Sequence, residues 1–234
     1  MFLRKIIDFI IPHTCLKCNT INMDYGLCSD CFKNISFITK PNCQSCGEPF
    51  INKTRGKYCG LCLKNKPKYI LRSVVIYDEN SSSLILKFKH GDGTHISPYM
   101  ANEMTKVIQD FESDIDLIIP VPLHKIRLLK RKYNQSAYLA KIIGKNINKT
   151  CDYTSVKRIK NTASQGNKSF SARVKNIKSA FAINDTNIRN KNILIVDDVY
   201  TTGATINELS KTLFKSGAKQ VYVVCFAKVI NKKY

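Results

Sequence analysis

Asn192-Ile-Leu-Ile-Val-Asp197-Asp198-Val-Tyr-Thr201-Thr202-Gly203-Ala204-Thr205 is the stretch that decides the fold. Ile193 to Val196 are four consecutive apolar residues and read as a parallel strand buried on both faces. Two acids follow at its carboxyl end, and the Thr-Thr-Gly-Ala-Thr loop then opens a helix. Open α/β sheets take their ligands at that edge. Backbone N–H groups and threonine hydroxyls of the loop can surround a phosphate monoester at the helix N-terminus, while Asp197 and Asp198 stand where sugar hydroxyls need acceptors. Aspartate and threonine are also common in plain turns and caps. Here strand, paired acids, loop and helix occur in the one order that a sugar phosphate requires. No Gly-Lys-Ser/Thr follows the glycine, which argues against a nucleoside triphosphate.

This segment is similar to the phosphoribosyl pyrophosphate loop of the type I phosphoribosyltransferases. The resemblance implies that the two acids hold the ribose and that Thr201, Thr202, Gly203, Ala204 and Thr205 hold the 5′-phosphate.

Eight of the ten cysteines fall in the first 62 residues, as four Cys-x-x-Cys knuckles: Cys15/Cys18, Cys28/Cys31, Cys43/Cys46 and Cys59/Cys62. Each tight turn presents two sulfurs and two turns complete a Cys₄ shell, so eight ligands predict two structural zinc ions. Sequential pairing is simpler than an interleaved cross-brace, but spacing alone leaves both open. A disulfide framework would need an oxidising compartment, and Met1 to Ile11, interrupted by Asp8, does not read as a signal peptide. A cytoplasmic location is therefore expected. Cys225, in the apolar run Val221 to Ala227, reads as a buried core thiol.

The formal charge is +21. Two Cys₄ zinc sites would leave it near +17, which favours nucleic acid or another polyanion. Two stretches concentrate cations without acids: Lys125, Arg127, Lys130, Arg131 and Lys132, then Lys157, Arg158, Lys160, Lys168, Arg173, Lys175 and Lys178. Anion binding by at least one of them is expected.

Two units are expected: residues 1–66, an amphipathic helix followed by a double zinc-ribbon module, and residues 69–234, an α/β domain with a parallel sheet. Strands are predicted at Val74–Tyr77, Ile115–Ile119, Tyr153–Val156, Ile193–Val196 and Val221–Phe226. Helices are predicted at Ser82–Lys89, Pro98–Phe111, Asn134–Asn146 and Ala204–Lys215, the last closed by Gly217. No run is long enough to span a bilayer. Residues 158–178 are rich in Lys, Asn and Ser and read as a long lid or binding loop.

A second motif, Asp116-Leu-Ile-Ile-Pro120-Val121-Pro122-Leu123-His124, reads as a strand ending in a proline-bracketed turn. Its backbone N–H groups and Arg127 could face a pyrophosphate, or the turn could be an ordinary strand-to-helix connection. His124 fits a hydrogen bond at a helix start better than catalysis.

Taken together, the chain resembles the competence protein F (ComF) family, phosphoribosyltransferase-like proteins linked to natural transformation. The features shared are the run into Pro12 and Cys15, the knuckles, Leu86-Lys-Phe-Lys89, Pro120 to His124 with Asn134-Gln135 ten residues on, Arg158…Thr162-x-x-Gln165…Arg173-x-x-Asn176, and the Asp197–Thr205 loop. Lys132 replaces the glycine usual two residues before Asn-Gln, and Lys168 stands where the pattern has an apolar residue. The resemblance implies a type I phosphoribosyltransferase-like α/β fold with an N-terminal zinc-ribbon module. It also implies Val121, Pro122, Leu123, His124 and Arg127 at the pyrophosphate, Arg158, Thr162, Gln165 and Arg173 in a flexible loop, and Mg²⁺ accompanying phosphoribosyl pyrophosphate.

The function expected is a DNA-uptake and transformation factor that binds phosphoribosyl pyrophosphate and single-stranded DNA, with proteins of the uptake machinery as partners. One alternative is a working phosphoribosyltransferase with an unknown acceptor. Another is a zinc-dependent nucleic-acid-binding protein whose phosphoribosyl fold is non-catalytic.

Overall fold

Two five-residue helices, α1 (Ser29–Lys33) and α2 (Gly60–Lys64), each start directly after a cysteine that serves as N-cap, Cys28 and Cys59. The structure, a computed structural model, describes residues 12–50, 56–89, 93–161, 177–184 and 187–230. The expected helix over residues 1–11, and Thr162, Gln165, Lys168 and Arg173 of the expected lid, lie outside the described residues.

The two helices belong to two ribbons that repeat one set of bonds. Cys15 N–H donates to Thr20 O and Cys43 N–H to Glu48 O, both at 2.8 Å. Cys28 N–H donates to Cys15 Sγ and Cys59 N–H to Cys43 Sγ, both at 3.3 Å. A left-handed residue turns each leading knuckle, Asn19 at φ 63° and Gly47 at φ 65°. Repeated knuckle spacing thus produces a repeated backbone.

The elements that follow are β1 (Ile70–Ile76), α3 (Glu79–Lys89), α4 (Ser97–Val107), β2 (Leu117–Pro120), α5 (Lys125–Arg131), α6 (Gln135–Asn146), β3 (Val156–Arg158), β4 (Phe181–Ile183), β5 (Asn192–Tyr200), α7 (Ala204–Lys215) and β6 (Gln220–Lys228). Four strands form a parallel sheet in the order β1-β6-β5-β2, and β3 and β4 pair antiparallel apart from it. Alternation along β5 explains why it is buried on both faces. Leu194 and Val196 join the core under α3, α4 and α6, while Ile193 and Ile195 join the one under α7. Cys225 is fully buried in the second core. No described helix is long and apolar enough to cross a membrane.

The strand expected at Tyr153–Val156 is not in the parallel sheet. The Asp152 carboxylate accepts from Thr154 N–H at 2.8 Å and Ser155 N–H at 3.0 Å, and this Asx turn bends the chain away. Cys151 leaves a single parallel bridge to Ile118. The expected helix over Pro98–Phe111 stops at Val107. Helix α7 has its expected bounds, and Gly217 at φ 90° follows it, with Ala218 N–H returning to Leu213 O at 3.1 Å.

The edge of the sheet at β1 is covered by the chain between the ribbons. Ile38 N–H donates to Val74 O, and Ile76 N–H to Ser36 O, each at 2.8 Å, with Phe37 bridging Val75 antiparallel.

Candidate functional site

Strands β5 and β6 outrun β2, whose last residue, Pro120, pairs with Val196. Asp197 and Asp198 therefore lie inside β5 and beyond the end of β2, at the open carboxyl edge of the sheet. Gly203 caps α7 in the left-handed conformation at φ 75°, a conformation natural to glycine. A Cβ there would fall 2.2 Å from the Tyr200 hydroxyl, so both backbone and packing require glycine. Thr202 Oγ1 accepts from Ala204 N–H at 3.4 Å; Thr201 is exposed and Thr202 and Thr205 partly so.

The acids are held from other elements. Ser136 Oγ donates to Asp197 Oδ1 at 2.9 Å, and the same oxygen accepts from Asp198 N–H at 2.9 Å. Lys89, the last residue of α3, pairs with Asp198 at 3.3 Å. Burial, and next the neighbouring Asp198, push the Asp197 carboxyl up to about 7, with Ser136 and Lys89 pulling the other way. Asp197 thus titrates near neutrality and accepts cations or hydroxyls more readily above that pH.

The second motif closes the opposite wall. Val121 N–H donates to Val196 O at 2.9 Å, tying the turn to β5, and Pro122 and Leu123 continue it to α5. His124 caps α5, its Nδ1 accepting from Ile126 N–H at 3.3 Å, the helix-start role expected for it. Asn134 Nδ2 donates to Val121 O at 3.1 Å while its Oδ1 caps α6, and Gln135 Nε2 reaches Lys89 O at 3.5 Å. The Asn-Gln-Ser run therefore joins the turn, the end of α3 and the acids. Lys132 ends α5 at φ 65°, the left-handed position that accounts for the glycine it replaces.

Arg158 departs from expectation. It closes strand β3 rather than standing on a loop, and its side chain is buried with the guanidinium 5.7 Å over the Phe181 ring. Burial first, and then Arg127, lower its pKa to about 10, while Asp197 opposes them. Arg127 is lowered in turn by burial and then by Arg131. The two arginines and the acid therefore share one field at the carboxyl edge. Ser136 and Lys89 carry no signal of their own in the sequence, although each lies within or beside a motif recognised there.

The cysteines divide in sequential order. Cys15, Cys18, Cys28 and Cys31 form one group and Cys43, Cys46, Cys59 and Cys62 the other, with the Sγ atoms of each group within 4.8 Å of one another. Sulfurs about 2.3 Å from a tetrahedral zinc lie roughly 3.8 Å apart. Cys18 and Cys28 Sγ are 3.7 Å apart, and Cys46 and Cys59 Sγ 3.6 Å. Both groups fit structural zinc.

Comparison with known proteins covers both parts of the chain. Residues 6–63 match the double zinc ribbon domain, and residues 127–234 match the phosphoribosyl transferase domain. Competence protein F of Haemophilus influenzae is 34% identical over 207 residues, which cover 85% of this chain and 88% of that one. The chain belongs to the competence protein F family. DNA utilization protein YhgH of Escherichia coli K12 is 29% identical, with 88% and 92% covered, and competence protein ComFC of Streptococcus pneumoniae 26%, with 86% of each covered. In this member of the competence protein F family, a type I phosphoribosyltransferase-like sheet carries an N-terminal double zinc ribbon. Lys89 and Val121–His124 precede the matched transferase segment and reach the site through the fold.

Proposed function

We propose that this protein binds phosphoribosyl pyrophosphate with Mg²⁺ at the carboxyl edge of the sheet and serves DNA uptake in the cytoplasm by handling single-stranded DNA. The observation that carries the small-molecule reading is the pair Asp197–Asp198 inside β5 and beyond the end of β2, leading into a left-handed glycine that opens α7. Asp197 and Asp198 accept from the ribose hydroxyls. Backbone N–H groups and hydroxyls of Thr201 to Thr205 hold the 5′-phosphate. The Val121–His124 turn, with Arg127, holds the pyrophosphate, and Arg158 adds charge from β3, with Thr162, Gln165 and Arg173 as further ligand contacts. Oxygen ligands suit Mg²⁺, which would neutralise pyrophosphate charge. Lys89 must leave Asp198 as the ligand arrives.

The DNA role is supported by the names of the relatives, competence protein F and DNA utilization protein, and by the basic charge. Proteins of the uptake machinery are its expected partners. Turnover with an acceptor is the second reading, favoured by the arginines beside the acids. Calorimetric titration with Mg²⁺ and phosphoribosyl pyrophosphate tests binding, and pyrophosphate release tests turnover. Binding that survives Asp197→Ala with Asp198→Ala would remove the ribose assignment.

A further inference from the structure

The two ribbons share a backbone but not a charge. Residues 12–38 carry two lysines and two aspartates, whereas residues 40–68 carry Lys40, Lys53, Arg55, Lys57, Lys64, Lys66 and Lys68 against Glu48 alone. A tetrathiolate zinc centre adds −2 to each, so the first ribbon stands near −2 and the second near +4. Glu48 does not offset the outer face, because its carboxylate is turned inward onto Lys228 at 2.5 Å.

This basic ribbon opens onto a groove of about 740 Å³ at the amino-terminal edge of the sheet, where β1, β5 and β6 begin with Ile70, Asn192 and Gln220. Lys66, Lys68 and Lys219 line it and are all exposed. Ser45, on the knuckle between Cys43 and Cys46, also lines it. It is 2% exposed, and its hydroxyl has no hydrogen-bond partner among the described residues. The groove's one acid, Asp114, accepts from Tyr222 Oη at 3.3 Å. Asp197 lies five residue steps along β5 from Asn192, a rise of about 16 Å, so the groove and the phosphoribosyl loop lie at opposite edges.

We propose that the second ribbon and this groove form one continuous binding face for single-stranded nucleic acid. The phosphodiesters are held by Lys66, Lys68 and Lys219, with Lys57 and Lys64 extending the track over the ribbon and the Ser45 hydroxyl donating at the floor. A single strand bends its phosphates into a concave groove, whereas a duplex, stiff over about 150 base pairs, does not. The α5 cluster suits the backbone less well, since its cations alternate with exposed Ile126, Leu128 and Leu129. The proposal rests on the nucleic-acid part of the proposed function and gives it a place. Strand and phosphoribosyl ligand can then be bound together.

The test is fluorescence anisotropy of a labelled oligothymidylate with the full zinc-loaded chain, in the parent, in Lys66→Glu/Lys68→Glu/Lys219→Glu and in Lys130→Glu/Arg131→Glu/Lys132→Glu. Loss of three phosphate contacts at about 0.7 units of salt slope each predicts roughly 100-fold weaker binding near 0.1 M salt and a slope flatter by about 2. Zinc content and Mg²⁺-dependent phosphoribosyl pyrophosphate binding are expected to be unchanged in the groove variant. Parental affinity in that variant overturns the proposal, as does a loss confined to the α5 variant. Loss of binding to phosphatidylserine vesicles with the oligonucleotide still held would assign the face to a membrane and overturn it too. If the parent binds no oligonucleotide, the nucleic-acid reading itself falls, and with it the groove's role, while the phosphoribosyl reading is untouched.

Discussion

In the first ribbon the left-handed corner is Asn19, exposed to solvent; in the second it is Gly47, pressed so closely on β1 that a Cβ would lie 2.8 Å from the Leu71 carbonyl oxygen. The anchors differ in the same sense. Lys87 of α3, partly exposed, donates to Lys17 O at 2.8 Å and to Asn19 Oδ1 at 3.1 Å on the first ribbon. Lys228, 4% exposed at the end of β6, donates to Cys46 O at 2.9 Å and pairs with Glu48 on the second. Leu71 N–H also donates to Ser45 O at 2.8 Å. Cysteine spacing dictates a common backbone, and everything between the cysteines is left free to set how each ribbon is held: the first by Leu16 in the core under α3 and α4, the second by backbone bonds to β1 and a buried ion pair at the end of β6.

Metal removal is the strongest way to break this contrast, since structural zinc contributes about 10–16 kcal/mol to such sites. Cys18→Ser and Cys46→Ser are each expected to lower the zinc content from two per chain to one by metal analysis. Cys46→Ser, which also loosens the buried Lys228–Glu48 pair, should lower the melting temperature of the sheet domain further than Cys18→Ser, and equal melting would make the ribbons equivalent. Next in size is Glu48→Ala, which strands a buried lysine and is expected to cost about 3–5 kcal/mol in denaturant titration. Lys87→Met, at the partly exposed anchor, is expected to cost about 1 kcal/mol. Gly47→Ala combines left-handed strain with a backbone contact and should cost about 2 kcal/mol, while Asn19→Gly stays within roughly 0.5 kcal/mol.

The smallest effect separates two lysines on one helix, of which Lys87 serves the first ribbon and Lys89 the acids. Asp197, held near 7, is protonated below that pH, so Mg²⁺-dependent phosphoribosyl pyrophosphate affinity is expected to fall about tenfold per unit as pH drops below 7 and to level above it. Lys89→Met removes a cation that lowers the Asp197 pKa and should move the midpoint upward. Lys87→Met should leave it in place. Calorimetry across about pH 5–9, roughly two units either side of the midpoint, reads both.

The parts legible in the sequence were those written in local spacing. Knuckles announce ribbons, four apolar residues before two acids announce β5, and Gly217 announces the end of α7. Sequential zinc pairing was not legible, because it depends on how the two ribbons fold back rather than on distances along the chain. Arg158 was read as a loop residue because its partner strand, Phe181–Ile183, is short and distant, so only tertiary pairing makes β3 a strand. Lys89 and Ser136 meet the acids across 109 and 61 positions, taken from 198 − 89 and 197 − 136. No periodicity records such meetings. Lys132 shows the reverse case, a substitution visible in the sequence whose reason, a positive φ, became clear only in space.

The segment between the ribbons, Ser36 to Ile38, also does something for the molecule's behaviour in a crowded solution. Its bonds to Val74 and Ile76 occupy the outer side of β1, a strand whose Leu71, Val74 and Val75 are almost wholly buried. An uncovered apolar edge strand is a template for pairing with another chain. The segment is held down at both ends by cysteine clusters, so the metals guard solubility as well as shape. Chelated protein is expected to scatter light through edge-to-edge association before its helices are lost, and re-added zinc to protect only molecules that have not yet paired.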